Sequence, residues 1–295
     1  RGLGDVYKRQ IHEEIQRILA EETGPFYFLD LHTTSGTTVP FMTVNDSLLN
    51  RSFAWLIPTP MILGIEEYLD GPLLSYINEL GYVAFGFEAG QHDDPLSVTY
   101  HEAFIYLTLY FAGSADLDKD LYRKQFNILH QSSADPHSIF EIYFRYSLQE
   151  NDSFTMVPGF ENFQRIRKGE KMADHNGREI MADRDGNIFM PLYQDQGSDG
   201  FFAVKRVPKF FLDLSARLRK WRFDKVLPIL PGIHWESDKH DTLIVDRRVT
   251  RFFAKQFFHL LGYRSRKVDK THLRIRNREA ASRTSDYLQC SWYQN

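Results

Sequence analysis

The sequence lacks the features that mark several common classes of protein. Cys290 is its one cysteine in 295 residues, which excludes an internal disulfide and a metal site made of several thiolates. Its 36 Lys and Arg residues nearly balance its 39 Asp and Glu residues, so a nucleic-acid binder that depends on bulk positive charge is not expected. The most apolar stretch, residues 103–113, is shorter than the roughly 20 residues that cross a bilayer. We therefore expect no nucleic-acid partner, no membrane span and, from the lone cysteine, a reducing cytoplasmic location.

Two motifs of common enzymes are also missing. The chain has no glycine-rich phosphate-binding loop and no Gly-x-Ser-x-Gly nucleophile motif. Its composition is otherwise that of a folded protein, with 42% hydrophobic and 25% charged residues, which excludes general disorder.

Four segments differ in their sequence pattern. Residues 1–10 contain no initiator Met and resemble translated adapter sequence, so we expect them to be non-native. Residues 11–135 are expected to form part of an α/β domain, and residues 136–263 a β-rich C-terminal domain with flanking helices. The tail, residues 264–295, is rich in Arg, Lys and Ser and is expected to be poorly ordered.

Apolar runs alternate with amphipathic stretches in the α/β segment. The runs FYFLDL (26–31) and YVAFGF (82–87) are typical of strands buried on both faces of a parallel sheet. The stretch 33–60 between them is interpreted as a loop. Helices are predicted at 11–22, from Asp70-Gly71-Pro72 to 80, from Asp94-Pro95 to about 113, and at 117–131. This alternation predicts an α/β fold with a mostly parallel central sheet flanked by helices.

The pattern changes after about residue 136. Residues 139–148 alternate apolar and polar side chains, which predicts a half-buried strand. Asn176-Gly177 and Asp185-Gly186 suit tight hairpin turns because these residues tolerate positive φ. A smaller β-rich domain is therefore predicted here, followed by helices at 210–221 and 247–261.

Charged or metal-binding residues end both buried strands. His32 ends the first strand and Glu88 ends the second. Because ligands bind at the carboxyl ends of strands in parallel α/β sheets, we expect the two side chains to share one cleft. A His and a Glu in that position could act as a zinc ligand and a general base.

Other candidates are weaker. His101-Glu102 lies in a predicted helix without a second His four residues away, so the helical two-His zinc pattern is absent. His234 and His240 could be paired ligands in a loop. The tail location of Cys290 argues against a nucleophilic role.

The residues around both strand ends resemble the succinylglutamate desuccinylase/aspartoacylase family, which has a zinc carboxypeptidase-like fold. The resemblance lies in FLDLHTTSG (28–36), GFEAGQH (86–92), PGFENFQRIRKGE (158–170) and DGNIFMPLYQDQGSDGFF (185–202). It implies one catalytic zinc ion held by a His-x-x-Glu pair and a later His, which His32 matches. It implies that Glu88 is the general base and acid in the hydrolysis of the amide bond, or an ester bond, of an N-acyl amino acid or a similar small substrate.

The resemblance also implies a substrate pocket. We expect it to be lined by Thr33, Thr34, Gly36 and Gln91, with loops around residues 193–202 possible at its rim. The substrate would be a small molecule.

The sequence departs from the family at three points. No His-x-x-Glu pair precedes His32, and Leu49-Asn50-Arg51 resembles the family's Asn-Arg substrate segment but follows His32 instead of preceding it. The Arg of aspartate-specific members is replaced around Asn78, so specificity for aspartate or succinylglutamate is not expected. N-terminal truncation would explain the first two departures, and we expect a largely inactive fragment that lacks two zinc ligands.

Two other functions stay open at this point. One is a non-catalytic small-molecule-binding protein on the same scaffold. The other is a carbohydrate- or peptide-binding α/β protein whose aromatics, 15% of the chain, form the site.

Overall fold

The computed structural model describes residues 3–68, 73–194, 197–246, 248, 255–267 and 272–294. The helices within these ranges are α1 (Leu3–Glu21), α2 (Leu48–Ala54), α3 (Leu73–Glu79), α4 (Leu96–Ala112), α5 (Lys119–Gln131), α6 (Lys209–Lys220) and α7 (Lys255–Leu260). The strands are β1 (Tyr27–Thr34), β2 (Phe41–Val44), β3 (Met61–Leu63), β4 (Val83–Gln91), β5 (Ile139–Ser147), β6 (Phe154–Met156), β7 (Arg165–Ile166), β8 (Lys171–His175), β9 (Arg178–Met181), β10 (Gly186–Phe189), β11 (Asp199–Arg206), β12 (Ile233–Trp235), β13 (Thr242–Asp246), β14 (Tyr263–Lys267) and β15 (His272–Asn277).

A large sheet forms the centre of the molecule, in the order β1-β4-β2-β3-β5-β11-β10-β7. The pairs β1–β4, β2–β3 and β3–β5 are parallel. The expected α/β fold with a central sheet is therefore confirmed, although the whole sheet is mixed. Smaller antiparallel sheets are β12-β13-β15-β14 and β6-β8-β9.

The interpretation of residues 33–60 as a loop was wrong. The segment contains β2 and α2, and β2 runs antiparallel to β4. Four residues are too few for a periodic pattern, so no sequence signal indicated this strand.

Because of the direction of β2, strands finish at two opposite edges of the sheet. The strands β1 and β4 end at one edge, which we call the first edge. Because β2 is antiparallel to β4, and β3 is parallel to β2, the strands β2 and β3 end at the opposite edge. We call it the second edge.

Helices cover both faces of the β1–β4 pair. Phe87 of β4 stacks on Phe104 of α4, with ring centroids 4.0 Å apart. On the other face Ala84 packs with Ile15 of α1 and Ile77 of α3. These contacts bury the apolar runs that were predicted as strands. They also hold the ends of β1 and β4 in place.

Most predicted helices are present with shifted ends. The helix predicted from Pro95 is α4, and it ends at Gly113, whose φ of 74° suits a glycine cap. The predicted helix over 210–221 is α6. The proposed helix start Asp70-Gly71-Pro72 and most of residues 247–254 lie outside the described residues. Because α1 begins at Leu3, it includes much of segment 1–10, whose non-native origin stays a prediction.

The β-rich segment is joined to the central sheet. Its first strand, β5, pairs with β3 on one side and β11 on the other. The predicted turn at Asn176-Gly177 is present between β8 and β9, with φ values of 51° and 76°. The domain boundary near residue 136 stays a prediction, since one sheet continues across it.

The expectation of a poorly ordered tail was wrong for its described parts, residues 264–267 and 272–294. The β15 strand pairs with β13, and Tyr287 and Trp292 are buried in the main core. Trp292 packs against Phe53 with ring centroids 5.0 Å apart. The hydroxyl of Tyr287 accepts a hydrogen bond from the amide of Val83 and donates to the carbonyl of Phe26. Aromatic packing holds this segment in place. The polar composition of the tail gave no indication of this packing.

None of the described helices combines the length and the apolar composition that crossing a bilayer requires.

Candidate active site

The first edge of the sheet brings His32 and Glu88 together. The two residues are direct partners in the parallel register of β1 and β4. Neighbouring strands lie about 4.8 Å apart, and partners in a parallel pair project to the same face. Asp30, two residues before His32, projects to that face too. His32 and Glu88 are therefore neighbours on one face of the sheet.

Asp30 orients the imidazole of His32. Nε2 of His32 lies 2.7 Å from Oδ1 of Asp30, so the ring donates from Nε2 and leaves Nδ1 as the nitrogen with a free lone pair. Burial by itself lowers the pKa of His32, but the hydrogen bond to Asp30 and the negative charges of Asp30 and Glu88 raise it above its ordinary value. About half of the His32 side chain is exposed, so the ring is accessible from solvent.

Glu88 occupies a less polar environment. Burial raises its pKa to about 7, while the positive charge of His32 opposes the change and the negative charge of Asp30 adds to it. Its Oε2 atom is buried and has no hydrogen-bond partner among the described residues. Phe41, which is fully buried, is its partner on β2 and contributes to this environment. A carboxyl group of this kind can both accept and donate a proton near neutral pH.

The predicted pocket residues have different positions. The hydroxyl of Thr33 lies 2.7 Å from Nδ1 of His92 and is exposed. The hydroxyl of Thr34 donates to the carbonyl of Gly36, and the amide of Gln91 donates to the carbonyl of Ser35. These two side chains hold the loop that follows β1, whereas Thr33 is the one that faces outward.

The β-rich segment contacts the loop after β1. A Cβ atom on Gly36 would lie 3.6 Å from both Pro191 and Tyr193. The amide of Asn162 donates to the carbonyl of Thr37. The hydroxyl of Tyr193 bonds to the segment at Val157, so the ring is held beside the loop. These contacts are consistent with the expected location of the region near residue 193 at the rim of the pocket.

The sequence analysis assigned no role to two residues near the site: it left out Asp30, and it set His101 aside as a helical zinc ligand. Asp30 precedes His32 by two residues, and this spacing on a strand was the signal that could have identified it. His101 of α4 packs against Phe87 with ring centroids 5.7 Å apart, and its Nε2 is buried without a partner among the described residues. Burial lowers the pKa of His101, while the backbone of His32 partly opposes this. Its position follows from the packing of α4, which no local motif encodes.

The other candidates of the sequence analysis, His234, His240 and Cys290, lie in other parts of the fold. His234 is on β12 in the small C-terminal sheet, and His240 packs against Trp235. Cys290 lies 3.4 Å from the hydroxyl of Tyr27, in the packing of the tail. None of these arrangements resembles a catalytic site.

One described residue has the surroundings of a zinc ligand. A histidine that binds zinc commonly bonds a carboxylate through its other ring nitrogen, as His32 does with Asp30. A catalytic zinc site has three protein ligands. Within the described ranges, no group of three or more His, Cys, Asp or Glu side chains is placed to hold a metal ion. His32 therefore fits one ligand position, and the described residues do not complete the site.

Comparison with known proteins finds matches only among solved structures. No family model matches the chain, and no curated protein matches it in sequence. The chain is similar to solved structures of the succinylglutamate desuccinylase/aspartoacylase family, several of which come from different bacteria.

Three of these structures illustrate the extent of the similarity. The succinylglutamate desuccinylase of Vibrio parahaemolyticus has a TM-score of 0.49 and 16% identity over 70% of this chain and 62% of that one. The succinylglutamate desuccinylase/aspartoacylase of Rhodobacter sphaeroides has a TM-score of 0.47 and 14% identity over 62% and 58%. The ectoine utilization protein EutE (DoeB) of Ruegeria pomeroyi has a TM-score of 0.44 and 18% identity over 61% and 59%.

The chain thus spans about three fifths of the length of the solved structures it matches. With TM-scores below 0.5, these similarities do not establish an activity, and we base the function on the geometry of the site.

Proposed function

We propose that the chain carries part of the active site of a hydrolase that cleaves the amide bond, or an ester bond, of an N-acyl amino acid or a similar small substrate. The main support is the in-register pairing of His32 and Glu88 at the carboxyl ends of neighbouring parallel strands. Ligands of α/β sheets bind at such an edge. A partly exposed imidazole beside a carboxyl group in an apolar environment suits acyl transfer to water.

Glu88 is the proposed general base and acid. Its carboxylate takes a proton from water while the water oxygen forms a bond to the carbonyl carbon of the substrate. The proton then passes from Glu88 to the leaving nitrogen as the carbon–nitrogen bond breaks, and the carboxylate is restored. A pKa of about 7 populates both forms of Glu88 near neutral pH, which both steps require.

We propose Zn²⁺ as the cofactor, with Nδ1 of His32 as one ligand. When bound, zinc lowers the pKa of a coordinated water to about 7 and polarises a carbonyl oxygen. Asp30 keeps the imidazole in the tautomer that exposes Nδ1. Because the other ligands are not among the described residues, we expect this chain to hold zinc weakly and to turn over slowly.

Hydrolysis in excess zinc tests the proposal. The chain is incubated with a panel of N-acetyl and N-succinyl amino acids, with and without added Zn²⁺, and the released amine is measured. We expect slow hydrolysis that requires zinc and is lost in the Glu88→Gln variant. The Glu102→Gln variant is the matched control, because Glu102 is an exposed glutamate on α4.

A second candidate function is binding without catalysis, which the incomplete ligand set favours. It predicts that an N-acyl amino acid binds equally to the wild type and to Glu88→Gln, and that neither protein hydrolyses it in excess zinc. That result would overturn the hydrolase proposal.

A further inference from the structure

A cavity lies at the second edge of the sheet. It encloses about 340 Å³, which is within the range of about 300 to 1,000 Å³ typical of small-molecule sites. Leu63, Phe211, Leu212 and Leu260 form an apolar wall. The other side of the cavity is polar and charged. The cavity therefore resembles a site for a molecule with an apolar body and a charged end.

This cavity is separate from the His32–Glu88 site. Glu141, which lines it, is in the same row of the sheet as Leu63, Val44 and Phe85. Within that row, Phe85 is three residues from Glu88 along β4, and Glu141 is three strands further across the sheet. With about 3.3 Å per residue and 4.8 Å per strand, the two sites are on the order of 17 Å apart. The same edge rule that located the first site applies here, because β2 and β3 end at this edge.

The guanidinium group of Arg51 is the main polar feature of the cavity. Its Nε donates to Asp46, and its two terminal nitrogens have no hydrogen-bond partner within the described ranges. Asp46 is shared between two arginines, because its other carboxylate oxygen accepts a hydrogen bond from Arg219 at 2.8 Å. The charge of Asp46 therefore does not fully neutralise Arg51. Two adjacent N–H donors of Arg51 therefore remain for a ligand, in the fork that matches a carboxylate.

Most charged groups around the cavity are paired with one another. Arg51, Lys205, Arg206 and Arg278 line the cavity against two acidic side chains, Asp46 and Glu141. Glu141 is itself bonded to His259 at 2.6 Å and to Lys205 at 3.2 Å. Arg206 pairs with Asp135, and Arg278 pairs with Glu66 and Glu67. Arg51 is therefore a cation of the lining whose terminal nitrogens remain available to an anion.

We propose that the cavity at the second edge binds a small organic carboxylate with an apolar body, whose carboxylate accepts both terminal N–H groups of Arg51 and whose body packs on Phe211 and Leu212. This is a binding site distinct from the proposed hydrolytic site, and it does not depend on zinc or on Glu88. Burial of the apolar body and the bidentate contact each contribute to affinity.

Fluorine NMR with 4-(4-fluorophenyl)butyrate tests this site on the whole chain. We expect saturable broadening of the fluorine signal by the wild type and much weaker binding of the corresponding amide, which lacks the negative charge. Arg51→Lys keeps the charge beside Asp46 but removes the fork, so the dissociation constant should rise about tenfold or more. Phe211→Ala, at a half-exposed position, should weaken binding several-fold.

The controls separate this proposal from the hydrolase proposal. Glu88→Gln should bind the probe as the wild type does, and Arg222→Lys, at an exposed arginine outside the cavity lining, should also be unchanged. Thermal unfolding monitored by circular dichroism confirms that each variant is folded. If the amide binds as well as the acid, if the Arg51 and Phe211 variants both retain affinity, or if no saturable binding occurs, the proposal is wrong.

Discussion

Replacing Glu88 with Gln should stabilise the protein at alkaline pH. Burial raises the pKa of Glu88 from 4.5 to about 7, so the folded protein holds this proton more tightly than the unfolded chain does. The favourable contribution is complete below pH 4.5 and is lost as the pH rises through 7. At pH 8 the ionised carboxylate destabilises the fold by as much as about 3 kcal/mol. Glutamine carries no charge and avoids this penalty.

The assay is urea unfolding of both proteins between pH 4 and pH 8. We expect similar free energies of unfolding at pH 4, and a growing advantage for Glu88→Gln up to about 3 kcal/mol at pH 8. Glu102→Gln should show no such trend, because that glutamate is exposed. A stability difference that does not change with pH would refute the idea that Glu88 is held in an environment that disfavours its charge, and the proposed acid–base role would lose its support.

Three further predictions address zinc and packing. After dialysis the chain should retain less than one equivalent of zinc by elemental analysis, and His32→Ala should remove what remains; a full, tightly held equivalent would contradict the incomplete ligand set. Arg219→Met should lower the free energy of unfolding by about 3 to 5 kcal/mol in urea titrations, because it leaves Asp46 buried with fewer partners; a loss below about 1 kcal/mol would mean that the pair is dispensable. Gly81→Ala should destabilise by about 3 kcal/mol or more, since its φ is +92° and a Cβ would collide with the carbonyl of Ala281. The control Gly159→Ala has a similar φ of +91° and open space, so it should lose about 1 to 2 kcal/mol; equal losses would show that the tail does not pack there.

The sequence was most informative where a strand is buried on both faces. The runs that become β1 and β4 have no polar residue until their ends, apart from Asp30, so their polar ends stand out. The edge rule for parallel sheets then placed His32 beside Glu88 without knowledge of the intervening chain. The same reasoning supported the α/β fold and the Asn176-Gly177 hairpin.

Long-range contacts were beyond the reach of local patterns. The bond between Arg219 and Asp46 joins residues 173 positions apart, and nothing near either residue indicates the other. His101 reaches the first edge because α4 packs across β4, and the antiparallel β2 is too short for a periodic signal. The cavity at the second edge depends on the contact between Arg219 and Asp46 and on the direction of β2, so it could not be predicted from the sequence.

The contacts of Tyr287 also constrain how the protein is made. Its hydroxyl joins the beginning of β4, at Val83, to the residue just before β1, Phe26, across sequence separations of 204 and 261 residues. A ribosome releases residues 26 and 83 long before it adds residue 287. The strand pair that carries His32 and Glu88 therefore reaches its final hydrogen bonding only after residue 287 has emerged, and until then part of its apolar surface is exposed to aggregation.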